Sequence, residues 1–348
     1  MNPPLHARLL KWYDSRTREM PWRNHPDPYA VWVSEIMLQQ TQVETVKGYF
    51  TRFMAAFPTV AQLAAAPQQA VLKAWEGLGY YTRARNLQKA AQLVVAQGGA
   101  LPDTSAEWAR LPGVGPYTAA AIASICFGEA VPVVDGNVAR VFARYLGWAD
   151  DFRKLPARDK LAACLLPFIV KSKRPGDFNQ AMMDLGATCC TPRAPSCAGC
   201  PLRKDCFALR EGQQAAFPAK PEKKALPVRR MAAAYVTGPK GRILFTQRAG
   251  EKLLGGLWEL PSREVSGRPT PADALRALRE KTGLAASTAT FKGTIGHTFS
   301  HFKLELHVYA VSGVSNTLDK KRHPDARFAL AQSLPLTTAT RRAIALQA

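Results

Sequence analysis

From Leu5 to about Phe207 the apolar residues recur at helical intervals. Between Tyr29 and Met54, Ile36, Val43, Val46, Phe50 and Phe53 fall at spacings that leave one buried stripe along a long helix. The same periodicity predicts helices over Val60–Ala65, Gln68–Leu78, Thr82–Gln97, Tyr117–Phe127, Val138–Tyr145 and Arg158–Val170. No strand-like alternation persists in this part. Proline, glutamine and lysine then displace the pattern across Glu211–Arg230. Beyond it, Met231–Val236 and Ile243–Arg248 read as strands and Thr270–Lys281 as a helix. Lys303–Val311 alternates, with Leu304, Leu306, Val308 and Ala310 on one face. The expectation is a multidomain chain: an all-α domain over 1–209, a linker over 210–230, and an α+β domain over 231–348.

One stretch of the helical part is interrupted in an informative way. Leu-Pro-Gly-Val-Gly-Pro over 111–116 forms a turn in which Gly113 and Gly115 present no Cβ to an approaching partner. Thr104 and Glu107 are spaced as a capping box for a short helix before the turn. The helix after it begins with unpaired N–H groups that favour a phosphate. Asp135 stands where the next helix is N-capped, followed by Gly136 and Asn137.

Five of the seven cysteines crowd into 189–206. Cys190, Cys197, Cys200 and Cys206, separated by six, two and five residues, place four thiols within seventeen positions. That is enough for a tetrahedral shell of zinc or for an iron-sulfur cluster, in a reducing compartment. Cys189 abuts the set; Cys126 and Cys164 lie in apolar helical runs and read as core thiols. Glu35 is flanked by apolar neighbours, either as a desolvated acid with a raised pKa or as a solvated residue on a polar face.

The formal charge of +21, from 47 basic against 26 acidic residues, favours a polyanionic partner. Met1–Arg8 contains no apolar core of a secretion signal. The longest uncharged run, Leu111–Gly128, is broken by Pro112, Gly113, Gly115 and Pro116, so no membrane span is expected. A soluble cytoplasmic protein, monomeric, is the expectation.

These motifs together carry a resemblance. The 111–116 turn, the apolar helix and Asp135-Gly136-Asn137 resemble the helix-hairpin-helix and Gly/Pro-Asp motif of the base-excision DNA glycosylase superfamily. That likeness implies that the amides around Gly113 and Gly115 hold a DNA phosphate and that Asp135 serves catalysis. The cysteine spacing is similar to that of the [4Fe-4S] loop in endonuclease III and MutY-type glycosylases, which implies that Cys190, Cys197, Cys200 and Cys206 ligate such a cluster. Ser34–Val43, SEIMLQQTQV, looks like the first signature of MutY-type adenine DNA glycosylases.

From that family, Glu35 is implied as the acid that protonates the leaving adenine. The end of the Glu35 helix would enter the duplex, with Leu38, Gln40 and Tyr80, the last in Gly77–Tyr81, as candidate wedge residues and Thr41 as a further DNA contact. Trp22, Arg23 and Gln180 resemble residues lining the adenine pocket; Asn137 and Tyr117 would position the carboxylates. Relatives that also act as lyases carry a lysine where this chain has Tyr117, so no Schiff base with the sugar is expected.

Gly255–Pro261 with Ala274–Leu284 resembles a Nudix hydrolase domain. Its metal-binding glutamates are mostly missing: the signature positions hold Arg276, Ala277, Glu280 and Lys281. Phe299, Ser300 and His301 match the tripeptide with which MutY-type enzymes sense 8-oxoguanine. The expected function is therefore monofunctional excision of adenine opposite 8-oxoguanine or G in double-stranded DNA, leaving an abasic site, with base flipping. The alternatives are an endonuclease III-like glycosylase/lyase and a non-catalytic iron-sulfur DNA-binding sensor.

Overall fold

The computed structural model describes residues 3–16, 18–23, 27–219, 225–250, 253–315 and 317–346. Its helices begin with α1 (Leu5–Asp14), α2 (Pro28–Leu38), α3 (Val43–Ala56), α4 (Val60–Ala65), α5 (Gln68–Ala74), α6 (Thr82–Ala96) and α7 (Ser105–Trp108). There follow α8 (Pro116–Phe127), α9 (Gly136–Leu146), α10 (Leu155–Ser172), α11 (Pro175–Asp184), a π-turn over Leu185–Cys189, and α12 (Phe207–Arg210). The rest comprises β1 (Val228–Tyr235), β2 (Ile243–Gln247), β3 (Trp258–Glu259), β4 (Ser262–Val265), α13 (Pro271–Thr282), β5 (Ala285–Thr298), β6 (Lys303–Ser315), β7 (Ala326–Ala329) and α14 (Thr338–Ala345). Two compact units result, one from residues 1–65 with 89–222 and one from 66–88 with 223–348. None of the described helices is long and apolar enough to cross a membrane.

In the first unit the amphipathic helix α9 buries Val138, Val141 and Phe142 against Leu5 and Leu9 of α1, Leu161 and Leu165 of α10, and Phe178 of α11. Helices α2 and α8 are apolar nearly all round, and each buries seven or more consecutive residues. The long helix expected over Tyr29–Met54 is two helices. It breaks after Leu38 because Gln40 takes a left-handed conformation, φ 58°, which a right-handed helix cannot continue. The N–H of Thr41 closes the break by donating to Leu38 O at 3.2 Å. Cys126 and Cys164 are half-buried rather than fully enclosed.

The second unit has a four-stranded sheet of order β4-β1-β6-β5, in which β1 runs parallel to β6 and its other pairs are antiparallel, and a three-stranded antiparallel sheet of order β3-β2-β7. Alternation sends Ala232 and Tyr309 towards Ala274 of α13, and Ala233, Leu306 and Val308 towards a core with Phe245, Leu336 and Ala343. A reciprocal capping box, Thr270 with Asp273, starts α13, and Gly283 in the left-handed region ends it. Helix α5 and the residues just after it belong here by their bonds: Gln69 accepts from the Trp258 indole (2.9 Å) and donates to Gly256 O (2.9 Å), and Glu76 accepts from the Leu336 N–H (2.9 Å). The sequence reading placed 66–88 with the helical domain. Residues 220–224 of the expected linker lie outside the described residues, and β1 starts at Val228, before that linker's expected end.

Candidate active site

Three helices of the first unit bring together three of the expected site residues. Glu35 lies in the third turn of α2 and is 4% exposed, walled by the apolar residues that bury α2 on every side. Tyr117 stands in the first turn of α8, where Pro116 fixes the helix start, and its hydroxyl donates to Glu35 Oε2 at 2.9 Å. Asp135 is the N-cap of α9: Oδ1 accepts from the Val138 N–H at 2.7 Å, and Oδ2 accepts from Asn137 Nδ2 at 2.9 Å.

The two carboxylates feel one another but sit in different surroundings. Burial pushes Glu35 up to about 7, and the negative charge of Asp135 adds to the rise, while the Tyr117 bond and the charge of Arg23 oppose it. Asp135 is also raised by burial, opposed by the Val138 and Asn137 donors and by the Arg140 charge. Burial and the adjacent Glu35 push the Tyr117 phenol well above its ordinary value, so Tyr117 stays a hydrogen-bond donor. The arrangement holds one carboxyl near neutrality beside another that hydrogen bonds favour as the ion.

Asn137 is gripped in turn. Its Oδ1 accepts from Arg140 Nη2 at 2.8 Å, and Arg140 also donates to Gly186 O (2.8 Å) and Cys190 O (2.8 Å). Gly186, in the π-turn, packs directly on Asn137: a Cβ there would lie 2.5 Å from Asn137 Cβ. Arg140 belongs to the Asp135–Val141 motif of the sequence but is given no role there, and Gly186 and Asp184 are not singled out by the sequence at all. The only signal for Arg140 is its spacing, one helical turn after Asn137; Gly186 carries none, because the need for a glycine arises from a distant segment.

The other expected residues fall as follows. Arg23 makes a bidentate ion pair with Asp184 (2.6 and 2.9 Å), which Arg18 joins at 3.0 Å, so its guanidinium is held rather than free. Trp22 is buried edge-on against Phe50, centroids 5.3 Å apart, and Gln180 is half-buried on α11. Leu38 and Thr41 are half-buried and Gln40 is exposed, all at the break after α2. Gly113 has φ 79°, which the turn requires; a Cβ on Gly115 would meet nothing within 4 Å. No side chain caps α8, so its leading amides are turned to whatever approaches that turn. In the second unit, Tyr80 is 47% exposed, at φ 48°, with the Arg83 guanidinium 5.6 Å from its ring centroid.

The cysteine loop leaves α11 through the π-turn. Cys189 is buried, and its thiol donates to Ser196 O at 3.3 Å. Cys190, Cys197 and Cys200 all act electrostatically on Cys206, and burial pushes the Cys197 and Cys206 thiols up. Among the described residues no three His, Cys, Asp or Glu gather closely enough to hold a single metal ion. One tetrahedral zinc would need sulfurs about 3.8 Å apart. Four soft thiols with a guanidinium N–H on one sulfur have the chemistry of an iron-sulfur donor set, although the Cys200 thiol is hydrogen-bonded to Cys189 here.

In the second unit the Phe299–Phe302 turn is the tip of the β5–β6 hairpin, closed by the Phe299 N–H on Phe302 O at 2.9 Å. The Phe299 ring stacks on Phe302, centroids 4.5 Å apart, and the exposed Ser300 and His301 side chains meet at 3.2 Å. On α13, Ala277 is fully buried and Glu280 lies 3.6 Å from Arg263.

A model of the HhH-GPD superfamily of base excision DNA repair proteins matches residues 33–164, and one of the NUDIX domain matches 232–346. Human adenine DNA glycosylase is 38% identical, the match covering 92% of this chain and 69% of that protein. The adenine DNA glycosylase of Schizosaccharomyces pombe is 33% identical (86% and 80% covered), and that of Buchnera aphidicola from Acyrthosiphon pisum is 34% identical (86% and 84% covered). Among solved structures, a thermostable thymine-DNA glycosylase superposes with a TM-score of 0.54 at 29% identity, over 59% of this chain and 95% of that one. A non-covalent endonuclease III–DNA complex shares the fold at 23% identity, with a TM-score of 0.51 over 60% of this chain and 95% of the other. With adenine DNA glycosylases 33–38% identical matching across both units, the chain belongs to the adenine DNA glycosylase family.

Proposed function

We propose that this chain excises adenine mispaired with 8-oxoguanine or G, hydrolysing the N-glycosidic bond and leaving an abasic site for base excision repair. The observation that carries the reading is the Glu35–Asp135 pair, two buried carboxyls from different helices in contrasting surroundings. Glu35, protonated near neutrality, donates its proton to a ring nitrogen of the departing base, relieving the negative charge that builds there. Asp135, oriented by the Val138 amide and Asn137, offsets the positive charge on the sugar, the division of labour that paired carboxylates perform in glycoside hydrolysis. Tyr117 orients Glu35 and carries no amine, so the enzyme is monofunctional. Gly113 and Gly115 approach a phosphate, Leu38, Gln40 and Thr41 enter the space of the extruded nucleotide, and Tyr80 is a further DNA contact. Trp22 and Gln180 line the adenine pocket, whose wall Arg23 stiffens through Asp184.

Cys190, Cys197, Cys200 and Cys206 hold a [4Fe-4S] cluster. When bound, it supplies a fixed anchor for a loop whose Arg193, Arg203 and Lys204 face DNA phosphates. Ser300 and His301, presented on the stacked Phe299, read the 8-oxoguanine opposite the adenine. The decisive test is a set of defined duplexes with A opposite 8-oxoguanine, G or C, followed by alkali. Strand breaks are expected for the first two and not for the third. Borohydride trapping of a protein–DNA adduct would overturn the monofunctional reading, and unchanged discrimination in the Ser300→Ala, His301→Ala double variant would overturn the lesion-sensing role.

A further inference from the structure

A second arginine lies one turn beyond Arg140 on α9, and its surroundings are unusual. Arg144 is 3% exposed, with its whole guanidinium threaded into the cysteine loop and the segment after α12. Nε donates to Gln214 O (2.8 Å) and Phe217 O (3.2 Å), Nη1 to Thr191 O (2.7 Å) and Cys190 Sγ (3.3 Å), and Nη2 to Pro192 O (3.2 Å). The Cys206 thiol lies 3.6 Å from the backbone O of the same residue. Every acceptor is a neutral carbonyl or a sulfur, and among the described residues no carboxylate forms an ion pair with it. The other deeply held arginine of this unit, Arg23, has the opposite solution, a bidentate carboxylate.

Taking a guanidinium out of water without an anion costs several kcal/mol, and carbonyl dipoles return only part of it. The carboxylate of the loop itself, Asp205, is held by Arg8, so the negative groups left beside the Arg144 guanidinium are the thiolates that the loop presents to its metal. We propose that Arg144 is the counter-charge of the cluster: its positive charge and its N–H on Cys190 Sγ favour the more reduced, more negative form and raise the reduction potential. The inference rests on the cluster reading given above. The lever is general, since charge and hydrogen bonds to the sulfurs set cluster potentials. Arg144, buried against the loop, is thus a positioning and tuning residue.

The test compares the full chain carrying Arg144→Gln and Arg144→Lys with the parent, each reconstituted anaerobically and checked for helical content by far-UV circular dichroism. Two quantities are read: the midpoint potential at an electrode, and the lifetime of the visible charge-transfer band under a chelator. Arg144→Gln is expected to shift the one-electron equilibrium towards the oxidised form about tenfold, which is about 59 mV lower, whereas Arg144→Lys shifts it less than threefold. A glutamine variant that cannot retain the cluster while the lysine variant does supports the same conclusion. Equal potentials in the two variants and the parent overturn it, and so does equal loss of cluster from both variants, since only the fork's geometry would then matter. A parent protein that stays colourless and binds zinc instead refutes the cluster reading, before either variant is measured.

Discussion

Replacing Glu35 by Gln tests the central physical claim without using catalysis at all. Glutamine keeps the volume, and its carbonyl still accepts the Tyr117 hydroxyl, so the perturbation is the loss of one titrating proton. Burial lifts this acid from 4.5 to about 7. A carboxyl whose folded pKa exceeds its unfolded value adds no cost below about pH 4.5. The cost then grows as pH rises and is complete above about 7. At about 1.36 kcal/mol per pH unit, the wild-type fold gives up about 3 kcal/mol over that window that the glutamine variant keeps. Groups remote from Glu35 titrate alike in both proteins and drop out, leaving the difference to Glu35 and to the Asp135 and Tyr117 groups on which its charge acts. Thermal melts of the two proteins between pH 4 and pH 8 should therefore diverge, reaching roughly 6–12 °C in favour of Glu35→Gln for a unit of this size. The same proton predicts that wild-type excision falls as pH climbs through about 7. A melting difference that stays flat with pH would refute the claim that Glu35 is desolvated in the native state, and with it the argument for an acid neutral at working pH.

Other expectations follow from the same geometry. Tyr117→Phe removes a bond that favours the ionised Glu35, so the alkaline limb of the single-turnover pH–rate profile should move up by about one unit; a downward move would contradict the bond's direction. Asp135→Asn can still cap α9 but sets an amide NH2 against Asn137 Nδ2. It should cost about 1 kcal/mol in denaturant melts while abolishing excision, and appreciable turnover would remove Asp135 from the chemistry. Gly186→Ala puts a methyl group 2.5 Å from Asn137 Cβ. A loss of about 1–3 kcal/mol with slower excision at unchanged mismatch affinity is expected; parent-like melting and rate would show that the contact is not constraining.

How much of this could be read from the chain alone depended on the range of the cause. Asp135 as a cap, the 111–116 turn and α8, α9 and α13 follow from residues within a few positions of one another, and they lie where capping chemistry put them. The break between α2 and α3 was invisible to periodicity because Ile36, Val46, Phe50 and Phe53 are buried on both sides of it, so the stripe continues where the helix does not. Strand β5 escaped because its residues are mostly exposed and include Gly293 at a bulge, leaving little alternation to read. The bonds from Gln69 and Glu76 to Gly256, Trp258 and Leu336 join positions some 180 residues or more apart, beyond any local signal. Glu35 illustrates the boundary: its neighbours in sequence leave its ionisation open, whereas the full enclosure of α2 decides the direction of the shift.

The left-handed backbone at Gln40 has an evolutionary and engineering consequence. A non-glycine residue at φ 58° stores about 1–3 kcal/mol of strain, and glycine or asparagine would relax it. Selection for thermal hardiness alone should therefore drive this codon towards those residues, at the expense of the longer glutamine side chain exposed at the helix break. If Gln40 enters DNA as proposed, position 40 sets durability against activity, and libraries screened only for heat resistance should be counter-screened there.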